Sequence, residues 1–151
     1  MNLTWIYKNF DELTTLELYA ILRVRCEVFV VEQNCVYQDI DGKDLTSLHL
    51  MAFDGDVLAA YCRILPAGLS FEEASIGRVI TSPTYRGEGI GVSLIERAIV
   101  ETANAFGSKQ IKIGAQLYLK KFYERFGFEQ TSEIYVEDGI EHIDMVLNSL
   151  L

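Results

Sequence analysis

Val79-Ile80-Thr81-Ser82-Pro83-Thr84-Tyr85-Arg86-Gly87-Glu88-Gly89-Ile90-Gly91 is the stretch on which the reading of the fold turns. It leaves an apolar strand pattern, Ala74 to Thr81, passes Ser82-Pro83 and enters a glycine-rich turn. Ile90, Leu94, Ile95, Ala98, Ile99 and Phe106 then mark one face of a helix, with Gly107 placed as its C-terminal cap. In a strand, glycine turn and helix in that order, backbone N–H groups converge at a helix N-terminus that carries about half a positive charge, which favours a phosphate. Two nucleotide motifs fail at their deciding residue. A P-loop needs Gly-Lys-[Ser/Thr], and no Gly-Lys follows. A dinucleotide fingerprint needs a third glycine at position 92, which is Val92. From this segment alone, a tight turn that is merely glycine-rich stays open beside a phosphate cradle.

Upstream of this stretch, Leu48–Phe53 and Val57–Leu65 read as strands joined at Asp54-Gly55, a hairpin signal. Trp5 to Phe10 reads as a further strand. Thr14-x-x-Glu17 spells a capping box before Leu18, Ile21, Leu22, Cys26 and Phe29, a helical stripe that runs to about Val31. Glu32 to Leu48 is polar and reads as a long loop with a short helix inside. Loops beyond roughly 12–15 residues are uncommon unless they are functional or mobile. Downstream, Ile111–Ala115 is a short strand, and Leu119, Phe122, Tyr123 and Phe126 form a helical stripe stopped by Gly127. Glu129–Val136 and His142–Leu147 flank a second hairpin signal, Asp138-Gly139. This order predicts an α/β domain: a mixed, mostly antiparallel sheet of six or seven strands flanked by about four helices.

The 151 residues suit one domain, 1–151, at a prior of roughly 150 residues each. Thirteen Lys and Arg against 22 Asp and Glu leave a net charge of −9, which repels nucleic acid and anionic membrane alike. An amine-bearing substrate suits that balance, and so does a charge kept only for solubility. Cys26, Cys35 and Cys62 are odd in number and show no CxxC spacing, so they read as small apolar residues in a reducing compartment. The N-terminus has no basic start followed by an apolar run, and no stretch reaches the roughly 18 apolar residues of a membrane span. The expectation is a cytoplasmic protein. With only His49 and His142 and no cysteine at ligand spacing, no metal site is expected.

The Val79–Gly91 stretch resembles motif A of the GNAT superfamily of N-acetyltransferases, a strand followed by Pro and then [Arg/Gln]-x-x-Gly-x-[Gly/Ala]. Gln116 to Phe128, with Phe122-Tyr123-Glu124-Arg125-Phe126-Gly127-Phe128, resembles the family's motif B, which ends in Phe-Tyr-x-x-x-Gly-Phe. The two lie 37 residues apart from Arg86 to Tyr123, in the family's order. Phe29-Val30-Val31-Glu32-Gln33-Asn34-Cys35 and Ile76-Gly77-Arg78-Val79 are similar to the ElaA-like branch, so the resemblance spans nearly the whole chain. It implies that acetyl-CoA is the cosubstrate. Backbone groups along Val79, Ile80 and Thr81 would pair with its pantetheine arm. Backbone N–H groups from Arg86, Gly87, Glu88, Gly89, Ile90 and Gly91 would cradle its pyrophosphate. Gln116 stands where many members place an Asn that touches the cofactor. A homodimer is common in the family and is a candidate assembly here.

Periodicity alone reads Tyr123 as a core aromatic, since it shares a stripe with Leu119, Phe122 and Phe126. A tyrosine can bury its ring and still present its hydroxyl, and the resemblance implies that Tyr123 is the general acid for the departing thiolate. The acceptor is read as a primary amine on a small molecule or peptide, which must be deprotonated before attack. Candidates for the acceptor side are Glu32, Asp39, Asp41, Asp44 and His49, with a solvated acidic face as the competing reading for most of the carboxylates. A non-catalytic acyl-CoA sensor would keep the cradle without acid and base. An acidic interaction module would bind a basic partner and no CoA.

Overall fold

A computed structural model describes residues 1–148. Strands β1 (Leu3–Asn9), β2 (Leu48–Asp54), β3 (Val57–Leu65) and β4 (Ser75–Thr81) pair antiparallel in that order. β3 is apolar almost throughout and is buried on both faces. Cys62 and Ile64, with Leu50 and Ala52 of β2, share a cluster with Ile90, Leu94, Ile95 and Ala98 of helix α2 (Ile90–Phe106). On the opposite face, Tyr61, Met51 and Ile80 pack with Ile21 and Val24 of helix α1 (Thr15–Arg25). Each fully buried aliphatic or aromatic side chain contributes about 1.5–3 kcal/mol, so this two-sided packing fixes β3 and with it β4.

α1 starts at the predicted capping box. Glu17 N–H donates to Thr14 Oγ1 at 3.1 Å, and Thr14 N–H donates to Glu17 Oε1 at 2.8 Å. The helix stops at Arg25, short of the predicted Val31, and the chain widens into a π-helical turn over Cys26–Glu32. Val28, Val30 and Val31 are β-branched, which weakens their preference for a regular α-helix. Gln33 and Cys35 N–H donate five residues back, to the Val28 and Val30 carbonyls at 3.1 and 3.0 Å. The long polar connection that follows holds one 3₁₀ turn, Lys43–Thr46.

The second sheet holds β5 (Ile111–Gln116), β6 (Glu129–Gln130), β7 (Tyr135–Glu137) and β8 (Ile140–Leu147), all antiparallel. Helix α3 (Lys120–Glu124) lies between β5 and β6. The class is the predicted α/β one, but among the described residues the sheet of six or seven strands is eight strands in two sheets, with three α-helices where about four are predicted. One reason is that the predicted strand 129–136 breaks. The Ser132 hydroxyl accepts the Asp144 N–H at 2.8 Å, a bond that a paired strand would take with its backbone. The other reason is that β4 and β5 diverge. Asp138 (φ 50°) and Gly139 (φ 77°) both adopt the left-handed region between β7 and β8, as a two-residue hairpin turn requires. No helix among the described residues is long and apolar enough to cross a membrane.

Candidate active site

β4 and β5 meet at one parallel bridge, Ala74 to Ile111, where Lys112 N–H donates to the Ala74 carbonyl at 3.0 Å. Beyond it the two strands separate, and Ser75–Thr81 and Ile113–Gln116 line opposite sides of a cleft of about 920 Å³. Among the described residues neither inner edge is paired past the bridge, so each presents free backbone donors and acceptors that an extended amide chain can join as an added strand. β4 is also bulged. Tyr61 faces Ile80 and Arg63 faces Gly77, which leaves Arg78 and Val79 opposite Cys62 alone, with Arg78 at φ 50°. The bulge takes Val79 out of the β3 ladder where the cleft opens. Counting five residues from the bridge sets Val79 level with Gln116, or with Ala115 once the extra bulge residue is taken up.

At the wide end, the turn after β4 enters α2 at Gly89 (φ 77°) with no side-chain cap. The first N–H groups of this 17-residue helix are therefore uncapped, which is the geometry of an anion site. A Cβ placed on Gly87 or Gly89 would meet nothing within 4 Å, so the space in front of the turn is open. Ile90 buries its side chain in the core, which aims only its backbone at that space. Val79, Ile80, Thr81, Arg86, Gly91 and Gln116 border the cleft, while Gly87, Glu88 and Gly89 form the turn at its end. Arg86 donates from both terminal nitrogens to Glu32, at 2.9 and 2.7 Å, and from Nε to the Thr81 carbonyl at 3.2 Å.

Tyr123 meets both of its readings. Its ring packs edge-on against Phe122 and Phe128 in the core, and the residue also borders the cleft. Burial pushes its phenol above the usual tyrosine range, so it stays protonated at neutral pH. Gln116 is tied across the cleft to Gln33, whose Nε2 donates to its Oε1 at 3.1 Å.

The acceptor-side candidates separate. Glu32 and Asp41 border the cleft, and the other three do not. His49 is 1% exposed: its Nε2–H donates to the Asp44 carbonyl at 2.9 Å and its Nδ1 accepts from the Tyr61 hydroxyl at 2.7 Å. With both nitrogens engaged it has none to offer a substrate, and burial lowers its pKa. Asp39 and Asp44 are not a solvated face either. Asp44 Oδ1 accepts from Arg25 at 2.6 Å and from Arg63 at 3.0 Å. Asp39 accepts from Arg25 Nε at 2.9 Å and from the Tyr37 hydroxyl at 2.9 Å, and it pairs with Arg78 at 2.8 Å. These carboxylates pin the long polar connection to α1, β3 and β4. Asp41 completes the network. Burial pushes its carboxyl up, but two hydrogen bonds from Arg63 outweigh that and hold it well below the usual carboxylate range.

Residues 16–149 match the family model described as an acetyltransferase (GNAT) domain. The chain belongs to the GNAT acetyltransferase family. Among GNAT relatives it is 46% identical to the Escherichia coli protein ElaA over 143 residues, 93% of this chain and 94% of that one. The crystal structure of E. coli ElaA superposes with a TM-score of 0.90 at 44% identity, covering 96% of this chain and 99% of that one. An acyl-CoA N-acyltransferase of Pseudomonas aeruginosa superposes with a TM-score of 0.91 at 42% identity, with the same coverage. The chain is thus an ElaA-like GNAT protein, of a family that carries out acyl-CoA-dependent acetyl transfer.

Beside Gln116, the GNAT cleft holds residues that motif reading passed over. The second sheet turns Lys112, Gly114 and Gln116 of β5, Tyr135 and Glu137 of β7, and His142 and Asp144 of β8 to one face, while Ile113, Ala115, Ile143 and Met145 turn to the core. That polar face, Lys112 apart, lines the cleft. Its signal was the alternation of His142 and Asp144 with Ile143 and Met145, a pattern that normally marks a strand face in water.

Proposed function

We propose that this chain, as a single domain over 1–151, transfers the acetyl group of acetyl-CoA to a primary amine of a small-molecule or peptide acceptor by direct attack in a ternary complex. One juxtaposition carries the reading. The free edges of β4 and β5, the uncapped start of α2 and the hydroxyl of Tyr123, to which no hydrogen bond is made among the described residues, border one cleft or its end. Acetyl-CoA supplies a thioester already activated for acyl transfer.

The chain supplies position and charge stabilisation. Backbone groups of Val79, Ile80 and Thr81 take the cofactor's amide arm as an added strand, and N–H groups from Arg86 to Gly91 take its pyrophosphate. Released by the bulge, the Val79 N–H polarises the thioester carbonyl. Tyr123 holds a proton for the departing sulfur, and Gln116 borders the arm. Asp41 lies on the acceptor side, while Glu32, a candidate for it by sequence, is taken up by Arg86 of the phosphate turn. Holding both reactants at contact distance is worth up to about 7–11 kcal/mol of barrier, and a single oxyanion donor about 3–4 kcal/mol, so positioning carries most of the rate.

Calorimetric titration with acetyl-CoA, with NADH as control, is the direct test. Saturable binding of acetyl-CoA and none of NADH is expected, followed by thiol release with at least one amine among spermidine, kanamycin and a peptide with a free N-terminus. No binding of acetyl-CoA at millimolar concentration would overturn the cradle and the transferase together.

A further inference from the structure

We infer that His142 is the general base of the transfer, accepting the proton of the acceptor ammonium at Nε2; the inference rests on the acetyl-transfer reading above. His142 is the cross-strand partner of Gln116, so it stands beside the position level with Val79, where the thioester carbonyl would be polarised. Its side chain borders the cleft, unlike that of His49. Its tautomer is fixed: a carbonyl can only accept, so the 2.7 Å contact between Nδ1 and the Ile140 carbonyl makes Nδ1 the N–H. The lone pair is left on Nε2.

The groups facing that nitrogen suit a base. Glu137 of β7 lies 3.8 Å from Nε2, the one charged group beside it on that strand. The Tyr135 ring, also on β7, stacks on the imidazole at 5.9 Å between centroids and 20° between planes, and holds its orientation. Gln116 faces it from β5. Asp144, two residues along β8, is engaged by the Tyr135 hydroxyl at 2.7 Å and by Lys112 at 3.8 Å. A base held at its other nitrogen by a carbonyl, with its lone pair left for the cleft, is the arrangement that proton abstraction requires.

The proton count closes. An ammonium carries three protons and the product amide nitrogen carries one. His142 takes the first before attack and passes it to solvent. The nitrogen lone pair then forms the N–C bond, the C–S bond breaks with its electron pair on sulfur, and Tyr123 protonates that sulfur. The second proton leaving nitrogen restores the Tyr123 hydroxyl.

Two measurements decide it. Imidazole ¹⁵N NMR of the intact protein should show the two histidines as opposite neutral tautomers at pH 8, His142 as Nδ1–H and His49 as Nε2–H, with signals assigned from His142→Gln. A protonated Nε2 on His142 at that pH would overturn the proposal with or without an acceptor in hand. With acetyl-CoA and spermidine, kanamycin or the peptide, His142→Gln should lower kcat at least 30-fold with acetyl-CoA affinity within twofold of wild type. Unchanged kcat in His142→Gln, or a cofactor affinity that falls as far as kcat, would overturn it. Wild-type protein that binds no acetyl-CoA would instead sink the transfer reading, a result that calorimetry reads separately.

Discussion

Arg86 and Glu32 join the two banks of the cleft mouth: the guanidinium of the glycine turn donates to both oxygens of a carboxylate on the π-helical turn, at 2.7 and 2.9 Å. The hydrogen bonds from Arg86 hold the Glu32 carboxyl below its ordinary pKa, so the pair is charged at neutral pH. A carboxylate in that fork occupies the geometry that a phosphate would use. Removing it should free Arg86 for the cofactor. Because both side chains are well exposed, the pair is worth only about 0–1 kcal/mol, so Glu32→Gln should tighten CoA binding by about two- to fivefold. Calorimetry at low salt and again at about 0.5 M salt checks this, since screening should shrink the gain. Equal or weaker binding by the variant would show that Arg86 does not face the phosphates.

Gly89 tests the cradle itself. Its φ of 77° costs a residue with a Cβ about 1–2 kcal/mol, while nothing lies within 4 Å of that Cβ. Gly89→Ala should therefore lose only that much stability in urea, yet bind CoA at least tenfold more weakly. Gly91 is a poorer probe. A Cβ there meets Thr81 Oγ1 at 3.4 Å and the Phe122 ring at 3.6 Å, so a valine would strain the packing of α2 on α3 as well as the site.

The Arg25, Arg63, Asp39, Asp41 and Asp44 network should dominate the acid sensitivity of the fold. Burial raises the Asp44 carboxyl, but the hydrogen bond from Arg25 outweighs it, and Asp44 and Asp41 both end below the ordinary carboxylate range. Below about pH 4 the unfolded chain takes up protons that these folded carboxylates refuse, so stability falls there. His49, lowered by burial, acts earlier: below about pH 6.5 the unfolded histidine charges and the folded one does not. The urea midpoint should therefore drop between pH 7 and pH 5 and again below pH 4, and the first drop should persist in His142→Gln. A midpoint that rises from pH 7 to pH 5 would refute the neutral, sealed His49. Asp44→Ala, which takes one of two carboxylate partners from each of the buried Arg25 and Arg63, should cost about 3–5 kcal/mol.

How far the sequence could be read depended on the range of the interactions involved. The Thr14–Glu17 box, the Asp138-Gly139 turn and the Gly107 cap are local, and each stands where the residues predict, while the first hairpin turns one residue later, at Gly55-Asp56, because Asp54 still pairs with Val57. The glycine turn of motif A was likewise legible, because its geometry is set by the chain from Thr81 to Ile90. The β4 bulge, the π-helical turn and the fate of the acidic loop were not. Asp39 and Asp44 look like solvated carboxylates until Arg25, Arg63 and Arg78, distant in sequence, fold against them. His142 was hidden differently: its polar strand face reads as an outer surface unless the divergence of β4 from β5 is known.

Tyr123→Phe separates catalysis from packing. The ring carries the packing, against Phe122 and Phe128, and the variant keeps it. Among the described residues the hydroxyl makes no protein hydrogen bond, so removing it should change stability by less than about 0.5 kcal/mol. If the hydroxyl protonates the leaving sulfur, kcat should fall by about 10²–10⁴-fold, the usual worth of a positioned acid, with acetyl-CoA affinity unchanged. Because burial already holds the phenol protonated at neutral pH, the wild-type profile should show no loss of activity from this group until strongly alkaline pH. Thiol-release kinetics and a urea melt on the same preparation decide the matter. A variant as stable and as active as wild type would return Tyr123 to the core and leave the thiolate to depart unprotonated.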